Sequence, residues 1–356
     1  MQEVADPFER RRKMRKRGWL TLLGCLCLVL ILAAPSMAQV IKLTLAEQNA
    51  ELGWGPVHAE QPWVKKVEDA TKGRVKIDVF YAQTLTKGPD IWNAVKTGVA
   101  DMGWCFHGYW ADLTPLSDVI SLPGLPFKTA EKGSEVLWKL YEKFPAIQRE
   151  YKDVHVCQLW TSHPYFLITT KKQVKTLEDI KGMKIRVTGG PPTEQMKALG
   201  AIPILIPMPD TYLSLDKGVI DGMGAPWEAI QGFRLYEIVK YYTIVPLPAV
   251  YFSMAVNKQK WESLPKDIQQ AITSVSGLEA AKFWGKNWFD TAEEEVAELV
   301  KKGGYQMVKY TPPPQELERW TKMSEPLWKE WVQKMESKGR PEAQQVLNAT
   351  LELLKQ

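Results

Sequence analysis

The sequence predicts an α/β protein built from two similar lobes, and three observations point there. Strand and helix signals alternate between residues 41 and 106 in the order that parallel β-α-β units require. The same alternation returns between residues 184 and 224. Two segments, Trp92–Trp104 (WNAVKTGVADMGW) and Tyr212–Gly224 (YLSLDKGVIDGMG), echo one another: a helix, a glycine stop, then an aspartate entering a strand. A length of 356 residues exceeds one ordinary hydrophobic core, in agreement with two lobes.

The elements follow in order. Ile41–Ala46 reads as a strand, and a helix from about Pro56 to Ala70 carries Val57, Val64 and Val67 on its inner face before Gly73 ends it. Val75–Tyr81 alternates as a strand, Asp90–Thr97 is a helix closed by Gly98, and Asp101–Phe106 is a buried strand. In the second series Lys184–Val187 is a strand, and Pro192–Leu199 is a helix with proline at its start and Gly200 at its end. Ile204–Ile206 is a strand, Thr211–Leu215 a helix and Ile220–Gly224 a strand. Tyr251–Val256 is a further strand, and Ile268 to about Lys302 reads as one long helix. After Pro312-Pro313-Pro314, helical patterns cover about Gln315–Ser337 and Pro341–Leu354, where Trp320, Trp328 and Trp331 follow helical spacing and read as core. Ligands of such sheets sit at the carboxyl ends of the strands, here facing a cleft between the lobes.

Composition is that of a globular protein, with 45% apolar and 24% charged residues. The net charge of +5 is concentrated at the N-terminus: residues 1–38 hold seven Lys/Arg against three acids, so of 46 basic and 41 acidic residues 39 and 38 remain, a net of +1. That balance gives no basis for a nucleic-acid partner. Basic residues Arg10–Arg17, an apolar run Trp19–Ala34 and the small-residue site Ser36-Met37-Ala38 read as a secretory signal cleaved before Gln39. The run is short for a retained membrane anchor. Leu22-Leu23-Gly24-Cys25 is read as a chance lipoprotein box, and Met14 is an alternative start. Beyond residue 38 only Cys105 and Cys157 remain, which either pair or sit as small buried hydrophobes.

The stretch Leu177–Pro226 carries the chemistry. Arg186 lies within a short apolar strand that runs into Thr188-Gly189-Gly190-Pro191-Pro192. A guanidinium facing inward needs an anionic partner and fits a carboxylate through two parallel hydrogen bonds. From the strand pattern alone, an edge arginine in water or an internal ion pair is the favoured account. The surrounding order of motifs resembles the TRAP transporter substrate-binding proteins, the DctP-like family of periplasmic solute receptors. It is carried by Leu177-Glu178-Asp179-Ile180-Lys181-Gly182, Lys184-Ile185-Arg186, Leu199-Gly200-Ala201-Ile202-Pro203, Asp210-Thr211-Tyr212 and Gly218-Val219-Ile220-Asp221-Gly222. Gly98-Val99-Ala100-Asp101-Met102 and Leu122-Pro123-Gly124-Leu125-Pro126-Phe127 fall in place upstream, so the likeness spans about Lys42 to Ala297.

The resemblance implies a periplasmic binding protein-like fold with mixed, mainly parallel sheets in each lobe and a long helix spanning both. Its lobes are expected at 39–163 plus about 252–290, and at 164–251 plus about 291–356 with the C-terminal helices. It also implies that Arg186 pins a substrate carboxylate. Asp210 and Tyr212 match family site positions, although N-capping is the preferred account of Asp210. Where some relatives carry a second arginine this chain has Tyr165, and the first-lobe strand end reads Trp104-Cys105-Phe106. Ala225 replaces a usual asparagine and is followed by Pro226-Trp227-Glu228, while Trp54 sits in the first loop. One anionic anchor with aromatic walls (Trp54, Trp104, Phe106, Tyr165, Trp227, beside Glu228) suits a monocarboxylate with an apolar or aromatic body.

No catalytic constellation, P-loop or nucleophile elbow is visible, and the four histidines His58, His107, His155 and His163 lack metal-ligand spacing. The expected function is therefore a periplasmic receptor, without cofactor or metal, that delivers an organic acid anion to a TRAP membrane permease. Two alternatives remain: the same receptor serving a sensor kinase or chemoreceptor, and a secreted α/β enzyme acting on small acids.

Overall fold

The computed structural model describes residues 40–356, of which Ile41–Gln356 form one compact unit. The candidate secretory signal lies outside the described residues, and no helix within them is long and apolar enough to cross a membrane.

Two sheets organise the chain. The first contains β1 (Ile41–Ala46), β2 (Val75–Phe80), β3 (Met102–Phe106), β4 (Val154–Thr161) and β10 (Tyr251–Asn257), in the order β2-β1-β3-β10-β4. β1 pairs in parallel with β2 and β3, whereas β10 runs antiparallel to both β3 and β4. The second contains β5 (Phe166–Thr169), β6 (Lys184–Val187), β7 (Ile202–Leu205), β8 (Gly222–Ala225), β9 (Tyr241–Thr243) and β11 (Val308–Tyr310), in the order β11-β9-β5-β8-β6-β7. β6 is parallel to β7 and β8, and β5 is antiparallel to β8 and β9. Each lobe is thus a mixed sheet with helices packed on it.

Helices α1 (Gln61–Ala70), α2 (Ile91–Thr97), α3 (Ala130–Lys143) and α4 (Pro145–Glu150) belong to the first series. The second carries α5 (Leu177–Ile180), α6 (Pro191–Ala198), α7 (Thr211–Asp216) and α8 (Trp227–Gly232). The expected helix from Pro56 is divided: Pro56–Glu60 is a single π-helical turn leading into α1.

The long helix is also divided. α9 (Lys258–Ser263) and α10 (Lys266–Ser274) precede Gly277, whose φ of +76° stops the helix there. α11 (Gly277–Gly285) then passes through a π-helical turn at Lys286–Asp290 into α12 (Ala292–Lys302), and this is the segment that joins the lobes. Trp288 and Phe289 of that turn are buried in the first-lobe core with Trp104, Trp160 and Trp284, whereas Ala292, Val296 and Val300 of α12 pack with Phe166, Trp227 and Tyr242 of the second lobe. Gly55 makes the crossing possible, because a Cβ there would lie 1.9 Å from the Trp288 ring.

α13 (Pro314–Ser324) and α14 (Pro326–Ser337) divide at Pro326, and α15 (Ala343–Lys355) completes the chain. Trp320 and Trp331 are buried as their spacing predicts, and Trp328 is partly buried, its indole N–H donating to the Pro123 carbonyl at 2.7 Å. Val346 and Leu347 of α15 share a cluster with Val136, Leu137 and Leu140 of α3. Cys105 on β3 and Cys157 on β4 are both buried free thiols.

Candidate functional site

Arg186 is the third residue of β6, a strand with neighbours on both sides, and it is 4% exposed. Its Nε donates to the Ile206 carbonyl at 2.9 Å. Nη2 is buried with no partner, and no ion pair among the described residues involves this guanidinium. Burial pulls its pKa below the ordinary value, an effect opposed by the hydroxyls of Tyr109 and Tyr165. An arginine remains charged under these conditions, so the fold holds a desolvated cation that lacks its counter-ion.

That cation opens onto a small cavity of about 30 Å³, enough for a couple of waters. First-lobe residues Trp104, Phe106 and Phe252 form one wall, with Gln48 and Asn49 from the loop after β1. Second-lobe residues Tyr165, Met208, Met223 and Glu228 form the other. The aromatic wall is continuous: Phe106 stacks on Phe252 at 5.1 Å, and Trp104 lies tilted against Phe252 at 4.8 Å, between ring centroids. Register explains it, since β10 places Phe252 opposite Phe106 on one side and Trp160 on the other. A second space of about 20 Å³ lies against Tyr165 and Arg186, lined also by Met196 and Leu247.

Polar groups at the cavity are unusual. Burial pushes the Glu228 carboxyl up to about 8, so it is largely protonated at neutral pH. Burial also raises the Tyr165 hydroxyl, with Glu228 adding to the rise and Arg186 opposing it. The indole N–H of Trp104 is buried without a partner. Behind the loop, Glu47 Oε1 accepts from the backbone N–H and Nδ2 of Asn49, both at 2.7 Å. Glu47 and Glu60 are both fully buried neighbours. Burial raises both carboxyls, Glu60 to about 7, so the pair retains a proton.

The lobes touch around this site. The Gly189 N–H donates to the Gly108 carbonyl at 2.8 Å, and the Tyr109 hydroxyl lies 2.9 Å from the Met208 N–H. The arrangement is a closed one. A larger cavity, about 400 Å³, lies elsewhere, between Ala111–Asp112, Gly189–Glu194 and Leu327–Met335. It contains neither Arg186 nor the aromatic wall, and the chemistry favours the smaller space.

Five expected residues therefore meet at one cavity: Arg186, Trp104, Phe106, Tyr165 and Glu228. Four do not. Trp227 points into the second-lobe core, 5.4 Å from Tyr242 and 4.9 Å from Phe166. Adjacent helical residues point about 100° apart, so α8 presents Glu228 to the cavity and Trp227 away from it. Trp54 packs at the crossing helix, its indole N–H 3.2 Å from the Asn287 carbonyl and its ring 3.9 Å from His58. The Tyr212 hydroxyl donates to Glu237 at 3.0 Å on the surface. Asp210 is exposed and makes no side-chain cap bond, so the capping account fails as well.

Phe252, Met208, Gln48 and Asn49 escaped sequence reasoning because strand order brings them in. His107 is structural, bound by Thr114 and Ser253 at 3.0 and 2.9 Å, and burial lowers its pKa to about 3. No cluster of metal-ligating side chains occurs among the described residues.

Comparison with known proteins agrees with this architecture. The pattern of bacterial extracellular solute-binding proteins, family 7 (DctP), matches residues 56–335. The chain is 28% identical over 281 residues to the outer membrane transporter protein TsaT of Comamonas testosteroni, covering 77% of this chain and 82% of that protein. A TRAP solute-binding protein from Rhodoferax ferrireducens, solved with copurified benzoate, superposes with a TM-score of 0.83 at 25% identity, covering 88% of this chain and 98% of that one. A marine-metagenome TRAP solute-binding protein described as specific for aromatic acids, solved with 3-hydroxybenzoate, gives 0.84 at 27% identity, covering 89% and 98%. A two-lobed fold, a buried cation awaiting an anion and a match over most of the sequence agree: this chain belongs to the DctP family of extracellular solute-binding proteins and is a TRAP solute receptor.

Proposed function

We propose that this receptor captures a monocarboxylate with an aromatic or apolar body, held between its lobes by Arg186. The observation that carries this is the buried Nη2 of Arg186, which has no partner while the cavity beside it is walled by Trp104, Phe106, Tyr165 and Phe252. A carboxylate supplies the missing counter-ion, and aromatic faces suit a flat apolar body once the lobes part to admit it. No second cation lines the cavity, and Glu228 is largely neutral at pH 7, so the site carries one net positive charge. One carboxylate balances that charge, whereas a dicarboxylate would leave an anion buried and unpaired. Two solved relatives described with benzoate and 3-hydroxybenzoate support the same ligand class.

The proposed lobes, residues 39–163 with about 252–290 and residues 164–251 with about 291–356, close over the ligand. Export through a signal ending at Ala38, and delivery to a TRAP permease without chemical change to the ligand, complete the reading. The test is calorimetric titration with benzoate, mandelate and succinate. Tight binding of the aromatic monocarboxylates, lost in Arg186→Ala, is expected; succinate binding more tightly than benzoate would refute the single-cation site.

A further inference from the structure

One oxygen atom, the hydroxyl of Tyr109, bridges the two lobes at the edge of the cavity. It lies 2.9 Å from the backbone N–H of Met208, in the second lobe, and 2.8 Å from Oε1 of Gln48, in the first. A backbone N–H can only donate, so the phenol oxygen accepts from Met208 and its single proton goes to Gln48. That bond turns the carbonyl oxygen of Gln48, a residue lining the cavity, toward Tyr109, and the other arm of the amide carries two N–H groups. Those are donors, suited to an anion.

The second-lobe partner is equally telling. Met208 follows Ile206 by two residues, and the Ile206 carbonyl accepts from Nε of Arg186. The short segment Ile206–Met208 is thus held by Arg186 on one side and by Tyr109 on the other. The adjacent residue, Gly108, accepts from the Gly189 N–H, and a Cβ on it would come within 2.7 Å of the Thr188 Cβ. The backbones are in contact there, which keeps the Tyr109 hydroxyl at hydrogen-bond distance from Met208.

We propose that Tyr109 is a positioning residue that couples lobe closure to carboxylate capture, by tying the segment braced by Arg186 to the glutamine that completes the anion's donor set. The proposal rests on the reading that Arg186 holds a carboxylate between closing lobes. In an open receptor the phenol oxygen exchanges Met208 for water at little cost, so the hydroxyl acts on the closed state alone. Its loss therefore speeds ligand release and leaves capture by the open form unchanged.

The experiment is stopped-flow tryptophan fluorescence of the purified protein with benzoate, comparing wild type, Tyr109→Phe, Gln48→Ala, the double variant and Arg186→Ala, with ligand-free melting of each. Tyr109→Phe is expected to raise the dissociation rate by roughly 5- to 30-fold, with the association rate and ligand-free midpoint near wild type. The Gln48→Ala effect should shrink in the Tyr109→Phe background, because the two act as one unit. Wild-type release rates in Tyr109→Phe, with Arg186→Ala still defective, overturn the latch while leaving the carboxylate reading intact. A ligand-free midpoint that falls by as much as the ligand-bound one also overturns it, since the hydroxyl would then stabilise the fold in general. A wild-type protein indifferent to benzoate, mandelate and succinate overturns the carboxylate reading itself, and this proposal with it.

Discussion

The guanidinium of Arg186 is a buried charge whose fork of donors is half used, with Nε on Ile206 and Nη2 free. Breaking a desolvated arginine–carboxylate pair costs about 3–5 kcal/mol, so Arg186→Ala is expected to weaken benzoate binding roughly 200- to 5000-fold by calorimetry. Arg186→Lys should restore little, since a point charge cannot reproduce the planar fork. Glu228 gives a second prediction. Its carboxyl titrates near 8, and the ionised form places a negative charge in an anion site. Affinity should therefore hold up to about pH 7 and fall as pH rises through 8, and Glu228→Gln should flatten the profile. Sequence exposed Arg186 because a charged residue stood in an apolar strand. It missed the inward turn of Trp227, because the phase of a six-residue helix cannot be read from so few positions. Phe252 and Met208 were hidden for a different reason, since their place depends on which strands lie side by side.

Among the elements, the π-helical turn Lys286–Asp290 determines how the crossing helix grips the first lobe. The extra residue in the turn directs Trp288 and Phe289 into the core and leaves Asp290 at the start of α3. There its carboxylate accepts from the N–H groups of Ala130 and Glu131 at 2.7 and 2.9 Å, capping a helix distant in sequence. Asp290→Ala is expected to lower stability by about 1–2 kcal/mol in chemical denaturation, at unchanged m-value. The long helix was legible as an apolar period over Ile268–Lys302, but its true beginning lay in Gly277, a left-handed glycine after Ser276. The π turn had no sequence signal at all: the same residues would serve an unbroken α-helix, and only the approach of Trp288 to Gly55 distinguishes them.

Across the whole molecule, two mixed sheets meet over a site where the second-lobe cation faces a first-lobe aromatic wall. The echo of Trp92–Trp104 in Tyr212–Gly224 made the two lobes legible, because local periodicity is written in each segment. The packing of α15 on α3 was not legible, since an amphipathic helix records that it has an apolar face and not which surface covers it. Stability should depend on pH through Glu47 and Glu60. Their folded pKa values lie above those of an unfolded chain, so the folded state binds protons more tightly. The contribution is full below about pH 4.5 and is lost as pH rises through about 7, so the ligand-free midpoint should fall across that window. Glu60→Gln is expected to reduce that slope in a melting series between pH 5 and 8.

Cys105 and Cys157 lie on neighbouring strands of β10, both in the first lobe, and no other cysteine follows residue 38. Burial raises both thiols, Cys157 to about 12, so neither offers a thiolate to solvent in the native state. A maleimide or disulfide reagent can therefore reach Cys105 and Cys157 only after the first sheet has come apart. The rate of such modification is a clock for the unfolding of one lobe, built in without a label and blind to the other.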